Sequence, residues 1–348
     1  MSTKDIDLLK LKIKILEKDV KNQDKIIKIL NNNNDKLDKK QENSIKNTSV
    51  QKCKQPSELN NKFRILSPSY NNYNTILGFA IPSNTKILYK EKNKFCHIEV
   101  IDSYVFGKIL LIDNDLQTTE KDEFVYHEMN SHIPLAYLPN AKDVLIIGGG
   151  DGGTAKQILK HKNIRRIDNV EICKEVVDVC KKYFPEMASS FKSKKVKLHI
   201  QDGAEYVKKL NRKYDLIIVD STDLDYKNKI FKSTFYKNLT KILKKNGILI
   251  VNYKEEFTDH FFNNELSRYY KKYINILKSN FKYIQMYHCT IPSYIGSLYT
   301  FLFCSNTINP KTDEIDWETF LSKNIETKYY NKHIHELSFY SPNFVKSI

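Results

Sequence analysis

Residues 144–162 read "VLIIGGGDGGTAKQILKHK". The chain has ten glycines, and five stand within six positions here: Gly148, Gly149, Gly150, Gly152 and Gly153. An apolar β-branched run, a glycine cluster and a helix-forming stretch make a strand–turn–helix unit. Gly148, Gly150 and Gly153 have the G-x-G-x-x-G spacing of a dinucleotide- or nucleoside-binding turn. Such a turn normally receives an anion at the helix N-terminus. Asp151 stands in its middle, and a carboxylate there would repel a phosphate.

Outward from this turn the same alternation repeats. "DVLIIG" (143–148), "RIDNVEI" (166–172), "VKLHIQD" (196–202), "YDLIIVD" (214–220) and "GILIVNY" (247–253) are short apolar runs. Helical segments such as "KEVVDVCKKYF" and "KSTFYKNLTKILKK" lie between them. The pattern predicts an α/β, Rossmann-like, doubly wound parallel sheet over residues 141–348. "FKYIQMYHCTIPS" and "SLYTFLFCS" add a further pair of strands. Upstream, "KILYKEKNKFCHIEVIDSYVFGKILLIDNDLQTTEKDEF" alternates and is broken by the turn-like "KNK" and "IDND", which predicts a small antiparallel β domain over 63–140. Residues 41–62 lack apolar periodicity and read as a linker. In residues 1–40, Ile6, Leu9, Ile13, Leu16, Val20, Gln23, Ile27, Leu30, Asn34 and Leu37 step by three and four, a coiled-coil-like seam with two polar interruptions.

The chain of 348 residues carries a formal charge of +16. Its basic residues form no single block, so the charge reads as a general lysine bias and not as a nucleic-acid surface. The six cysteines are scattered without a C-x-x-C pair, which points to buried thiols in a reducing compartment and to no zinc site. No run suits a membrane span or a signal peptide. The expectation is a cytoplasmic protein with no nucleic-acid or membrane partner.

In a doubly wound sheet, ligands sit beyond the carboxyl ends of the strands. At those ends stand Asp151, Glu171, Asp202 with Gly203, Asp220 and Asp223. One such acid could simply cap the helix that follows it. Five, in a chain this basic, argue for a cationic ligand and against a pyrophosphate. His127 and His132, in "YHEMNSHIP", are read as packing and capping residues of the helix that follows Asp122.

These motifs together resemble the spermidine synthase family of polyamine aminopropyltransferases. The likeness rests on "GGGDGG", "VEI", "QDGAEYV" and "DLIIVDSTD", on "LLIDNDLQTTEKDEFVYHEMNSHIPL" upstream, and on "IPSYIGSLYTF" and "TKYYNKHIHELSFYSPNFV" downstream. It covers roughly residues 75 to 345 and implies the class I adenosylmethionine-dependent version of the fold. The implied reaction moves the aminopropyl group of decarboxylated S-adenosylmethionine, a co-substrate, to putrescine or another polyamine and releases methylthioadenosine. No further cofactor and no metal is expected. The resemblance implies Asp220 as catalytic base, and Tyr126, Asp223 and Tyr294 as holders of the amine. It implies Glu171 for the ribose, Asp202 for the adenine, Gln117 near the sulfur, and Gly148, Gly150 and Gly203 as the close backbone. Asp151 would attract the propyl ammonium and repel the carboxylate of ordinary adenosylmethionine. A homo-oligomer is expected.

The sequence departs from the family at "DSTDLDYKNKIF", which lacks the usual "PxGPA". Asn252 stands where the family has a glutamine, and the tryptophans often found around the diamine are missing. An adenosylmethionine-dependent polyamine methyltransferase and a catalytically weak assembly protein are the alternatives.

Overall fold

The computed structural model describes residues 63–66, 79–221, 232–255, 264–294 and 298–345. The coiled-coil-like segment 1–40, the linker 41–62 and the "PxGPA" departure lie outside the described residues. Two short strands, β1 (Phe63–Leu66) and β2 (Phe79–Pro82), pair antiparallel. An antiparallel meander follows: β3 (Ile87–Lys92), β4 (His97–Ser103), β5 (Gly107–Ile112) and β6 (Asp115–Thr119). The "IDND" turn joins β5 to β6 through Asp113 and Asn114, both at positive φ (52° and 72°). Two successive left-handed residues match the right-handed twist of a hairpin, and Asx side chains tolerate that conformation best after glycine.

The main sheet has seven strands in the order β9-β8-β7-β10-β11-β13-β12. These are β7 (Asp143–Gly148), β8 (Arg166–Glu171), β9 (Val196–Ile200), β10 (Tyr214–Asp220), β11 (Leu243–Glu255), β12 (Tyr283–Thr290) and β13 (Leu298–Ser305). Strands β7 to β11 are parallel, and β13 runs antiparallel between β11 and β12. Strands buried on both faces should read as unbroken apolar runs, as the interiors of β7 (Val144–Ile147) and β10 (Leu216–Val219) do.

Alternate side chains serve two helical layers. Leu145, Ile147, Ile217 and Val219 meet α4 (Gly203–Lys208), α5 (Ser233–Ile242) and α6 (Asn264–Lys278). Val144, Ile146, Leu216 and Ile218 meet α1 (Glu123–Tyr137), α2 (Gly153–Leu159) and α7 (Trp317–Ser322). The expected division at residue 140 placed α1 with the β domain. Its Val125, Met129 and Ile133 pack instead into the core of the seven-stranded sheet. One face of the meander, Ile98, Val100 and Leu110, covers α3 (Lys174–Tyr183) and the 3-10 turn Met187–Lys192. That contact sets the meander beside the first strands of the sheet.

Buried polar groups fasten the C-terminal arm to α1. Glu128 is 1% exposed, and its carboxylate accepts three backbone N–H bonds, from Lys328 (2.8 Å), Tyr329 (2.8 Å) and Tyr330 (2.9 Å). This arm continues into α8 (Lys332–Ser338). One helical turn beyond Glu128, His132 Nδ1 lies 3.0 Å from His161 Nε2 in a buried pair.

Burial brings His132 down to about 3 and His161 to about 2, with the nearby positive charges of Lys160 and Lys323 adding to the effect. An imidazole in the unfolded chain titrates near ~6.5. Below that value the native state binds fewer protons than the unfolded one. The contribution to stability is therefore complete above about pH 6.5 and is lost as pH falls toward the native values. Melting curves between about pH 7.5 and about pH 4.5 should show a falling midpoint, and His161→Gln should flatten the fall. An equally steep fall in the variant would show that other groups govern acid unfolding.

Candidate active site

The site forms where β7, β8 and β10 end side by side. Asp220, the last residue of β10, pairs with Gly148 of β7, and Gly149 N donates to Asp220 O at 2.8 Å. A Cβ on Gly148 would stand 1.9 Å from that carbonyl oxygen, and Gly148 has φ +90°. Only glycine lets the turn lie against the neighbouring strand end. The chain then rises through Asp151 into α2, and Gly152 caps the helix in the left-handed region.

Three of the predicted acids converge here. A Cβ on Gly149 would stand 3.2 Å from Asp220 Oδ2, and one on Gly150 would stand 2.9 Å from Glu171 Oε2. The glycine loop is thus sandwiched between the two carboxylates, with Asp151 at its crest. Glu171 accepts the Cys173 N–H at 2.8 Å. Burial raises its carboxyl to about 7, with Asp151 and Asp220 adding to the rise and two backbone N–H groups opposing it. Burial also raises the Asp220 carboxyl, and the Asp151 charge adds to this; His127, Thr154 and Tyr126 pull the other way.

Each Asp220 oxygen has a donor. Tyr126 OH donates to Oδ1 at 2.5 Å, and Thr154 Oγ1 donates to Oδ2 at 2.6 Å. Tyr126 belongs to an aromatic wall with Tyr294, Tyr299 and Phe301. Burial and then the neighbouring Asp220 charge hold its phenol well above the usual range, so it is a donor at neutral pH.

His127 is the main residue that sequence reasoning misjudged. It does not merely pack. Its Nδ1 lies 2.6 Å from Glu123 Oε2, and its Nε2 lies 3.3 Å from Asp151 Oδ2. Burial alone would depress this imidazole; the carboxylates on its two nitrogens outweigh burial and hold it well above its ordinary value. Burial likewise would raise Glu123, but His127 and Lys156 bring it down to about 2. A line of alternating charge therefore runs Lys156–Glu123–His127–Asp151. The Glu123 and His127 spacing of four residues was a visible helix-pair signal, but nothing local pointed to Asp151. Asp151 also accepts the Gly153 N–H at 2.7 Å.

The other predicted residues are placed less directly. Asp202 caps α4, accepting from Ala204 N (2.8 Å) and Glu205 N (3.2 Å), as the simple capping alternative has it. Gly203 follows it, with Ile147 Cγ2 2.5 Å from where a Cβ would stand. Gln117 Nε2 donates to Asp115 O at 3.3 Å, and Gln117 O accepts from Tyr294 OH at 2.8 Å. Asp223 lies outside the described residues. Asp122 makes no side-chain cap to α1. Its carboxylate instead accepts from Thr119 Oγ1 (2.5 Å) and Ser293 N (2.8 Å), tying β6 to the loop that carries Tyr294. Asn252 donates to Ser221 O at 3.1 Å.

The arrangement offers a partly buried carboxylate held by two hydroxyl donors, an oriented phenol and a crevice lined by negative charge. Residues 123–314 match the model of the Spermine/spermidine synthase domain, and residues 83–120 match that of the Spermidine synthase tetramerisation domain. The chain is 40% identical over 292 residues to a polyamine aminopropyltransferase of Methanocaldococcus jannaschii, covering 82% of this chain and 96% of the relative. It is 40% identical over 260 residues to one of Alkaliphilus metalliredigens, covering 74% and 89%. Among solved structures, spermidine synthase from Thermotoga maritima superposes with a TM-score of 0.72 at 31% identity, covering 81% of this chain and 91% of that one. A spermidine synthase in complex with the transition state analogue AdoDATO gives 0.71 at 31% identity, with the same coverage.

Gly153 shows how tightly the charged line is packed, because a Cβ there would stand 2.3 Å from the His127 ring. Gly153→Ala should cost about 1–3 kcal/mol in a denaturant titration, as an overpacked core site does. A loss below about 0.5 kcal/mol would show that the ring moves freely.

Proposed function

We propose a specific reaction from one premise: this chain belongs to the spermine/spermidine synthase family and is a polyamine aminopropyltransferase. The aminopropyl donor in this reading is decarboxylated S-adenosylmethionine, the acceptor is putrescine, and the products are spermidine and methylthioadenosine. One observation carries the reading. Asp151, Glu171 and Asp220 crowd one crevice of a chain whose formal charge is +16. Their mutual repulsion is relieved by a cationic guest, and every charged part of both substrates is a cation. The sulfonium makes its own leaving group, so the chemistry calls for no further cofactor.

A diamine ammonium titrates near ~10, like a lysine, and must lose a proton before it can attack. Asp220 takes that proton as general base. The freed lone pair forms the new N–C bond at the carbon next to sulfur, the C–S bond breaks, and its electron pair neutralises the sulfonium. The rate depends on holding nitrogen, carbon and sulfur in line. Tyr126, Tyr294 and Asp223 are assigned to hold the amine, Gln117 the sulfur end, Asp202 the adenine, and Gly148, Gly150 and Gly203 the close backbone. Asp151 is assigned to the propyl ammonium, which it would share with the His127 cation. Among the described residues no helix is long and apolar enough to cross a membrane. We extend the reading to a homo-oligomer built through the β3–β6 sheet, on which the tetramerisation-domain match falls.

Two measurements test this reading. Asp220→Asn should keep methylthioadenosine binding while turnover drops by ~10²-fold or more, the usual scale for a lost general base. Near-normal turnover would remove Asp220 from the role. In calorimetry, methylthioadenosine should bind more tightly as pH rises through about 7, because the ionised Glu171 is the form that accepts the ribose hydroxyls. Glu171→Gln should bind weakly with no such rise; a rise that persists in it would assign the titration elsewhere.

A further inference from the structure

Behind the proposed base lies a run of buried polar side chains, Ser131, Asn130 and Thr154. Asn130 Nδ2 donates to Thr154 Oγ1 at 3.0 Å, and Thr154 Oγ1 donates to Asp220 Oδ2 at 2.6 Å. Ser131 Oγ stands behind them, 3.0 Å from Asn130 Oδ1. All three of these residues are 0% exposed. Chemistry fixes the polarity of the run. An amide nitrogen only donates and an ionised carboxylate only accepts, so the Thr154 hydroxyl must accept from Asn130 and give its hydrogen to Asp220. The other oxygen, Oδ1, faces Tyr126, whose phenol can either donate or accept.

We propose that the Asn130–Thr154 chain pins Asp220 Oδ2 as a permanent acceptor and so makes Oδ1 the atom that takes the proton from the attacking amine. This inference rests on the reading of Asp220 as base given above. In the step, one ammonium proton moves to Oδ1, the nitrogen lone pair forms the N–C bond, and the C–S bond breaks with its electrons going to sulfur. Asp220 ends as a carboxylic acid protonated on Oδ1, and Tyr126 turns from donor to acceptor. Oδ2 keeps its Thr154 bond throughout, so the carboxyl plane does not rotate between ground state and product. Thr154 is a positioning residue, since it touches the base and no reacting atom.

The charged and titratable groups facing Asp220 are Tyr126 and His127 from α1, Asp151 from the glycine loop and Glu171 from the end of β8. Asp151 and Glu171 oppose its ionisation and His127 favours it. All of them remain in Thr154→Val, which keeps the side-chain shape and removes one O–H. The ionised base then loses a donor and becomes harder to form. The acid limb of the kcat profile should move to higher pH. Near pH 7, kcat should fall about tenfold or more, with the amine KM nearly unchanged, the lower end expected for a lost hydrogen bond to a charge. Thr154→Ser should restore both.

A readout independent of turnover is the titration of the Asp220 carboxyl carbon by NMR in protein labelled with 13C-aspartate, assigned with Asp220→Asn. Its midpoint should rise in Thr154→Val and return in Thr154→Ser; Thr154→Ala replaces the valine variant if that one does not fold. A midpoint and an acid limb that stay put while stability falls would overturn the inference and leave Thr154 a packing residue. Absence of aminopropyl transfer by the unaltered protein would instead overturn the functional reading, and with it the proton's destination, while the NMR midpoint still reports on the pinning of Oδ2.

Discussion

Repulsion among three carboxylates at neighbouring strand ends is the constraint around which this molecule is arranged. Parallel strands bring Asp151, Glu171 and Asp220 to one edge of the sheet, and the glycine loop lets them approach by removing every Cβ between them. Left alone, such a group would neutralise by taking up protons. Burial raises the Glu171 carboxyl to about 7, and the charges of Asp151 and Asp220 add to that rise. The fold answers it with His127, held charged by Asp151 and Glu123 together, and with hydroxyl donors on both oxygens of Asp220. The negative field is thus tempered but still present, which suits a crevice meant for cations.

Much of this was legible in the sequence. Apolar runs such as "DVLIIG" and "YDLIIVD" can be buried on both faces only within a helix-covered sheet, so the doubly wound architecture followed from the alternation itself. The strand ends then named Asp151, Glu171 and Asp220, because in this architecture chain order dictates which residues share an edge. The hairpin at Asp113 and Asn114 was equally local.

What escaped notice depends on partners far apart in the chain. His127 looks like any helical histidine until the glycine loop sets Asp151 against its Nε2. Asp122 occupies a capping position, yet it reaches Ser293, 171 residues away, and leaves the helix end uncapped. Helix α1 was assigned by its place in the sequence to the β domain, while its apolar stripe fits the opposite unit. Thr154 reads as one more helix-start residue, and only the closeness of α1, α2 and β10 makes it a donor to Asp220. Local pattern reports which face of an element is apolar, but not which polar atoms meet across elements.

The clasp at Glu128 bears on how such a chain can drift over evolutionary time. It recognises the arm at residues 328–330 by main-chain N–H groups alone. Lys328 is therefore open to almost any replacement, whereas Tyr329, packed against the core, and Tyr330, 3% exposed, are also limited by size. Proline is the exception at all three positions, since it carries no N–H to give. The helix and the arm can thus lose apparent sequence similarity along the arm while the attachment itself is inherited unchanged, through a single glutamate.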